Sequence, residues 1–233
     1  MLPNLPIQTS AIFIFCTVTT LLLFYWVLKN STVKPSLRNS VMLGLTAWLV
    51  LQGLVAKSGF YAENLDILPP RFALAFGPPF ILMIILFSTK KGRAFMDSLP
   101  LYQITWLNVV RIPVEIGLFW LAAGKAIPEL MTFAGRNFDI IAGITAPFIA
   151  YFGIKKGKIG RTGLLIWNVA MLALLVNIIV NALLSAPTPL QQFALDTPNY
   201  GVLFFPYNWL PAFIVPIVFF GHLVSIRLLI KGM

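Results

Sequence analysis

Cysteine and histidine are nearly absent from this sequence. Among its 233 residues there is one cysteine, Cys16, and one histidine, His222. An intrachain disulfide needs two cysteines, and cysteine-held zinc sites or iron–sulfur clusters need several. A haem held by two histidines of one chain is excluded for the same reason. The sequence therefore predicts no metal site and no cofactor.

Charged residues are also scarce, at 10% of the chain against about 25% in a typical soluble domain. Hydrophobic residues make up 59%, so lipid must surround part of the chain. The net charge of +10 raises the question of a nucleic-acid partner. However, the basic residues form short clusters between apolar runs, which is typical of membrane topology signals rather than of a phosphate-binding face. No nucleic-acid partner is expected.

Seven apolar runs approach the length of a transmembrane helix, which needs about 20 mainly apolar residues. They predict an all-α, polytopic membrane protein in which residues 1–233 form a single transmembrane domain, a bundle of seven helices. The second run is short, and the fourth is interrupted by charge. The expected helices cover residues 11–28, 40–56, 71–88, 99–123, 138–154, 163–184 and 208–229.

The charges between these runs alternate from one side of the membrane to the other. One side holds 12 basic residues and a single acid, Asp97, whereas the other holds four basic and five acidic residues. Basic loops stay in the cytoplasm, which places the N terminus outside and the C terminus in the cytoplasm. The 12 basic residues are Lys29, Lys34, Arg38, Lys90, Lys91, Arg93, Lys155, Lys156, Lys158, Arg161, Arg227 and Lys231.

The first apolar run is expected to be a retained helix. A cleaved secretory signal has basic residues before its apolar core, whereas residues 1–10 hold no lysine or arginine and Lys29 follows the core. The short loops are typical of a prokaryotic protein. We therefore expect a multi-pass protein of the plasma membrane, the inner membrane of a prokaryote, in contact with the lipid bilayer.

The fourth run carries Asn108, Arg111 and Glu115, whose spacing places them on one helix face. A charge at the bilayer centre costs at least about 2.5–3.5 kcal/mol and commonly marks function. We expect Arg111 to pair with Glu115 within the helix. Arg111 is also expected to bind a small anionic ligand, because its planar fork suits a carboxylate. The alternative is a buried ion pair that only fixes helix packing.

Four further residues toward the outer side are predicted to line the same ligand-binding pocket. Asn177 and Asn181 share a face of the sixth run, Asp139 begins the fifth, and Arg71 begins the third. Interhelical hydrogen bonding is the alternative for the asparagines, and interfacial snorkelling for the two charged residues. The proline-rich connection 185–207 is interpreted either as a lid over this pocket or as an interfacial loop with an aromatic belt.

A proton relay is a separate hypothesis for His222 and Glu115. His222 falls in the inner half of the last run, where a lone histidine can carry protons across part of a membrane. Packing within the bundle is the commoner role for such a histidine.

Three functional hypotheses fit these residues. The first is a small-molecule transporter or solute-binding membrane protein with a site centred on Arg111 and Glu115. The second is a receptor-like or sensor subunit that acts through a partner protein. The third is a membrane-embedded enzyme acting on a lipid or quinone, ranked last because acidic groups are few and known catalytic motifs are missing. A structural subunit of a larger complex, or a homo-oligomer, stays open.

Overall fold

A computed structural model describes residues 5–232, which fold into helices with no β-strand in that range. Residues 1–4 and 233 of the predicted single domain lie outside the described residues. The described part confirms the all-helical class. Its eight helices are α1 (Ile7–Lys29), α2 (Pro35–Lys57), α3 (Ala73–Ser88), α4 (Lys90–Asp97), α5 (Leu101–Ala123), α6 (Ile140–Lys155), α7 (Arg161–Leu184) and α8 (Leu210–Lys231).

Five of these helices are long and apolar enough to cross a membrane: α1, α2, α5, α7 and α8. A sixth candidate is the unit of α3 and α4, which is bent by 94°, and α6 is a shorter apolar helix. Each of the seven predicted runs coincides with a helix. The boundary of α2 differs most, because Pro35 occupies its first turn, a position that suits proline.

Helix α4 was not predicted, because its sequence is charged and short. Its N-cap residue is Thr89, whose hydroxyl accepts a hydrogen bond from the backbone N–H of Gly92 at 3.1 Å. This is a typical N-cap. A bend of 94° separates α4 from the apolar α3.

Helices α5 and α8 form the centre of the bundle. In their most apolar stretches 61% of α5 and 67% of α8 is buried, against 22% in both α2 and α7. The middle of α5 winds as a 3₁₀ turn over Leu107–Val110, just before Pro113, which cannot donate to the carbonyl of Val109. Irregular turns inside a helix often accompany functional sites. The polar residues of the fourth run therefore lie on a central helix.

Two sets of contacts define the two ends of the bundle. At one end, Asp97 of α4 lies 2.7 Å from Arg227 and 2.6 Å from Lys231, both of α8. At the other end, the N–H of Gly201 donates to the carbonyl of Ala126 at 2.7 Å. We call these the basic end and the acidic end, since they hold the two sets of connections that the sequence separates by charge.

Candidate functional site

Arg111 is buried at the centre of the bundle and pairs with Asp139 at the start of α6. Its Nη2 lies 2.5 Å from Oδ1 of Asp139. The predicted pair between Arg111 and Glu115 is wrong, because the structure places a different carboxylate against the guanidinium. Helices α5 and α6 approach closely at Gly143, where an added Cβ would lie 2.7 Å from Ile112. This close approach brings Asp139 within reach of Arg111.

The other contacts of Arg111 come from its own helix and from α7 and α8. Nη1 lies 3.2 Å from both Oδ1 of Asn108 and Nε2 of His222, and Nη2 donates to the carbonyl of Met171 at 3.3 Å. Since arginine can only donate, Nε2 of His222 is an acceptor. The ring proton is therefore on Nδ1, which donates to Oδ1 of Asn168 at 3.0 Å. Both nitrogens of His222 are thus used to hold Arg111 in place.

Glu115, one turn further along α5, borders a cavity. Its Oε1 accepts a hydrogen bond from Nδ2 of Asn137, whereas Oε2 is buried with no hydrogen-bond partner among residues 5–232. The cavity has a volume of about 100 Å³ and lies between α3, α5, α7 and α8. At about 30 Å³ for each water, it has room for only a few water-sized groups.

Asn199 contributes a second unsatisfied acceptor to the same cavity. Its Nδ2 donates to the carbonyl of Ala182 at 3.4 Å, but within the described part of the chain its buried Oδ1 has no partner. Asn199 and Val202 belong to the connection 185–207 and line the cavity, so this connection forms part of its wall. Sequence reasoning missed Asn199, because an asparagine beside Pro198 is typical of an ordinary turn.

The remaining walls of the cavity are apolar. They include three phenylalanines of the third run and aliphatic residues of the central helices: Phe72, Phe76, Phe80, Leu118 and Val215. Polar groups are concentrated at one side and come from four residues: Glu115, Asn137, Asp139 and Asn199. The sequence predicted a polar pocket, whereas the structure has an apolar cavity with one polar wall.

Three of the predicted ligand-binding residues lie away from this cavity. Arg71 pairs with Glu63 at 2.6 Å near the acidic end. Asn177 donates to the carbonyl of Arg136 at 2.9 Å, and Asn181 donates to the carbonyl of Asn177 at 2.9 Å. Of the other four, Glu115 and Asp139 line the cavity, whereas Asn108 and Arg111 lie behind its wall.

Residues 69–230 match a family described as a domain of unknown function, DUF8737. The chain belongs to this family. No curated protein and no solved structure matches the chain. The segment matched to DUF8737 contains every residue of the Arg111 network and of the cavity wall, and it begins after α1 and α2.

The polar wall has a chemical preference. Two carboxyl groups, of Glu115 and Asp139, line the cavity, and the nearby Arg111 guanidinium is paired with Asp139. Among residues 5–232, Oε2 of Glu115 and Oδ1 of Asn199 have no hydrogen-bond partner, and Oδ1 of Asp139 has only its ion-pair contact with Arg111. All three are oxygen atoms. Such a wall favours a group that donates hydrogen bonds or carries positive charge.

Proposed function

We propose that the seven predicted apolar runs are seven membrane spans, with the N terminus outside and the C terminus in the cytoplasm. The third span is α3 and the fifth is α6, while α4 lies at the membrane surface. The contacts within the basic end and within the acidic end support this arrangement. The excess of basic residues on one side assigns that side to the cytoplasm. We place the protein in a plasma membrane, the inner membrane of a prokaryote.

We further propose that the protein is a small-molecule transporter or solute-binding membrane protein whose site is the cavity beside Glu115. The observation that carries this proposal is the pair of buried acceptors, Oε2 of Glu115 and Oδ1 of Asn199. A buried polar group without a partner costs about 1–3 kcal/mol. A ligand with hydrogen-bond donors would remove that cost, and its binding in the cavity would therefore be favoured.

The ligand in this proposal carries a compact cationic group, such as a primary ammonium. An anion on Arg111 was the expectation from sequence, but Arg111 is occupied by Asp139 and His222 and lies behind the cavity wall. The volume of about 100 Å³ admits an ammonium group and a short hydrocarbon. The apolar walls suit the hydrocarbon, and the acceptors suit the N–H donors.

The binding test uses the purified protein in detergent micelles, with methylammonium as the probe and acetate as its matched anion. Methylammonium should raise the unfolding temperature, and Glu115→Gln should remove this effect, because the amide oxygen carries no charge. Asn177→Ala is the control, since Asn177 was predicted to bind but lies outside the cavity. Stabilisation by acetate instead, or a full response in Glu115→Gln, would overturn the proposal.

A second measurement separates transport from binding. Uptake of labelled methylammonium into proteoliposomes, lost in Glu115→Gln and kept in Asn177→Ala, would assign transport. Stabilisation without uptake would leave a solute-binding role and reject the transporter.

A further inference from the structure

Helix α2 is fully buried in the bundle only at positions in its half nearer the acidic end. Its four buried residues, Leu49, Gln52, Gly53 and Ala56, all lie in that half. The other half, from Pro35 to Trp48, contains no buried residue. On the side of the basic end the helix is only partly packed, through half-buried residues such as Val41 and Leu45.

Hydrogen bonds to backbone carbonyls hold the fixed half. Nε1 of Trp48 donates to the carbonyl of Ala212, and Nε1 of Trp209 donates to the carbonyl of Leu49, each at 2.9 Å. A third bond runs from Asn208 to the α2 carbonyl of Gln52 at 3.0 Å. These bonds fasten α2 to the segment that begins α8.

A cleft of about 710 Å³ lies between α2 and α3 where α2 is only partly packed, with α8 behind it. This volume lies within the range of about 300–1,000 Å³ that is usual for ligand sites. Its walls are apolar side chains from all three helices, such as Val41, Leu45, Leu82, Leu86 and Phe213. The cleft shares no lining residue with the cavity at Glu115. A hydrocarbon chain fits this surface.

One end of the cleft carries positive charge. Lys91 of α4 lines the cleft at the basic end, and it is the only charged residue among those that line it. The hydroxyl of Thr89 beside it already accepts a hydrogen bond from the backbone N–H of Gly92. An apolar slot that ends at an exposed lysine is complementary to a lipid with an anionic headgroup, because lysines near the surface attract such lipids.

We propose that this cleft binds one anionic phospholipid, with an acyl chain between α2 and α3 and the phosphate beside Lys91. The site is independent of ligand binding at Glu115. The topology proposed above puts Lys91 on the cytoplasmic side, and on that topology the lipid lies in the cytoplasmic leaflet.

The test counts bound lipids by native mass spectrometry of the purified protein, using dioleoylphosphatidylglycerol and, as the neutral comparison, dioleoylphosphatidylcholine. Gly44→Phe fills the cleft, since a Cβ at Gly44 meets nothing within 4 Å. It should abolish retention of phosphatidylglycerol. Gly77→Phe is the matched control, because Gly77 is equally unobstructed and does not line the cleft.

The charge is tested separately with Lys91→Gln, a surface substitution that leaves the fold intact. It should weaken phosphatidylglycerol binding about fivefold and leave phosphatidylcholine unchanged, whereas Lys90→Gln should have a smaller effect. Retention of phosphatidylglycerol by Gly44→Phe would overturn the proposal. Equal losses of phosphatidylglycerol binding in the two lysine variants would do the same, as would a dimer that Gly44→Phe dissociates. If one of these outcomes is found while methylammonium still stabilises the protein, the lipid site is rejected and the proposed function is not.

Discussion

Nη2 of Arg111 lies 2.5 Å from Oδ1 of Asp139, and this contact joins the central helix α5 to the start of α6 inside the bundle. His222 and Asn108 hold the opposite side of the guanidinium. An arginine with this many acceptors has a fixed position. The contact places the Asp139 side chain between Arg111 and the cavity that it lines.

Removing one partner of this pair should destabilise the protein strongly. Asp139→Leu leaves the Arg111 guanidinium buried without its carboxylate, and we expect a loss of about 3–5 kcal/mol in the free energy of unfolding. The double variant Arg111→Met with Asp139→Leu should recover most of the loss, because no uncompensated charge remains. Denaturant unfolding in detergent micelles measures both.

The control for this cycle is Glu63→Gln, which breaks the half-exposed pair with Arg71. An exposed pair contributes roughly 0–1 kcal/mol, so this variant should unfold almost like the wild type. If Asp139→Leu costs no more than Glu63→Gln, Arg111 is not held by Asp139.

The helices of the bundle could be predicted because the apolar runs are long, and the interior position of Arg111 followed from the cost of placing a charge against lipid. The partner of Arg111 could not be predicted. Spacing along α5 identifies which residues share a face, but the approach of α6 depends on packing at Gly143. Asn199 was missed for a related reason, since its connection has no periodic pattern.

The close approach of α5 and α6 should be sensitive to a single methyl group. In Gly143→Ala the new Cβ would lie 2.7 Å from Cγ1 and 3.1 Å from the backbone N of Ile112. We expect a loss of about 1–3 kcal/mol, as is usual for overpacking, and a weaker contact between Arg111 and Asp139. Thermal unfolding in micelles measures the loss.

Gly44→Ala is the matched control, because Gly44 is also helical and its Cβ would meet nothing within 4 Å. Alanine favours helix by about 1 kcal/mol over glycine, so this variant should be unchanged or slightly more stable. Equal destabilisation of both variants would show that Gly143 is not a contact point.

The ion pairs at the basic end should make stability dependent on acid. Hydrogen bonds from Arg227, and to a smaller extent from Lys231, lower the pKa of Asp97 from 3.8 to about 2. A lowered pKa in the folded state stabilises above the unfolded pKa, and the contribution is lost as the pH falls through the folded value. The stability difference between wild type and Asp97→Asn should therefore be constant above about pH 4 and shrink toward about pH 2. A difference that stays constant over this range would contradict the assignment.

The position of the negative charge in the cavity can be exchanged between two residues that line it, Glu115 and Asn199. Glu115→Gln should weaken methylammonium binding by about tenfold or more, since a hydrogen bond to a charged group contributes about 1.5–3 kcal/mol. Adding Asn199→Asp to this variant places a carboxylate on another residue that lines the same small cavity and should restore most of the affinity. Thermal stabilisation by methylammonium in micelles reports both changes.

The control for the exchange is Asn177→Asp in the Glu115→Gln background. Asn177 is exposed and bound to the carbonyl of Arg136, so a carboxylate there adds the same net charge without entering the cavity. It should restore no binding. If it restores as much as Asn199→Asp, methylammonium responds to overall charge and not to the cavity. If neither variant restores binding, the Glu115 carboxylate has a role that a charge at position 199 cannot replace, and the cavity does not accept a cation in the way proposed.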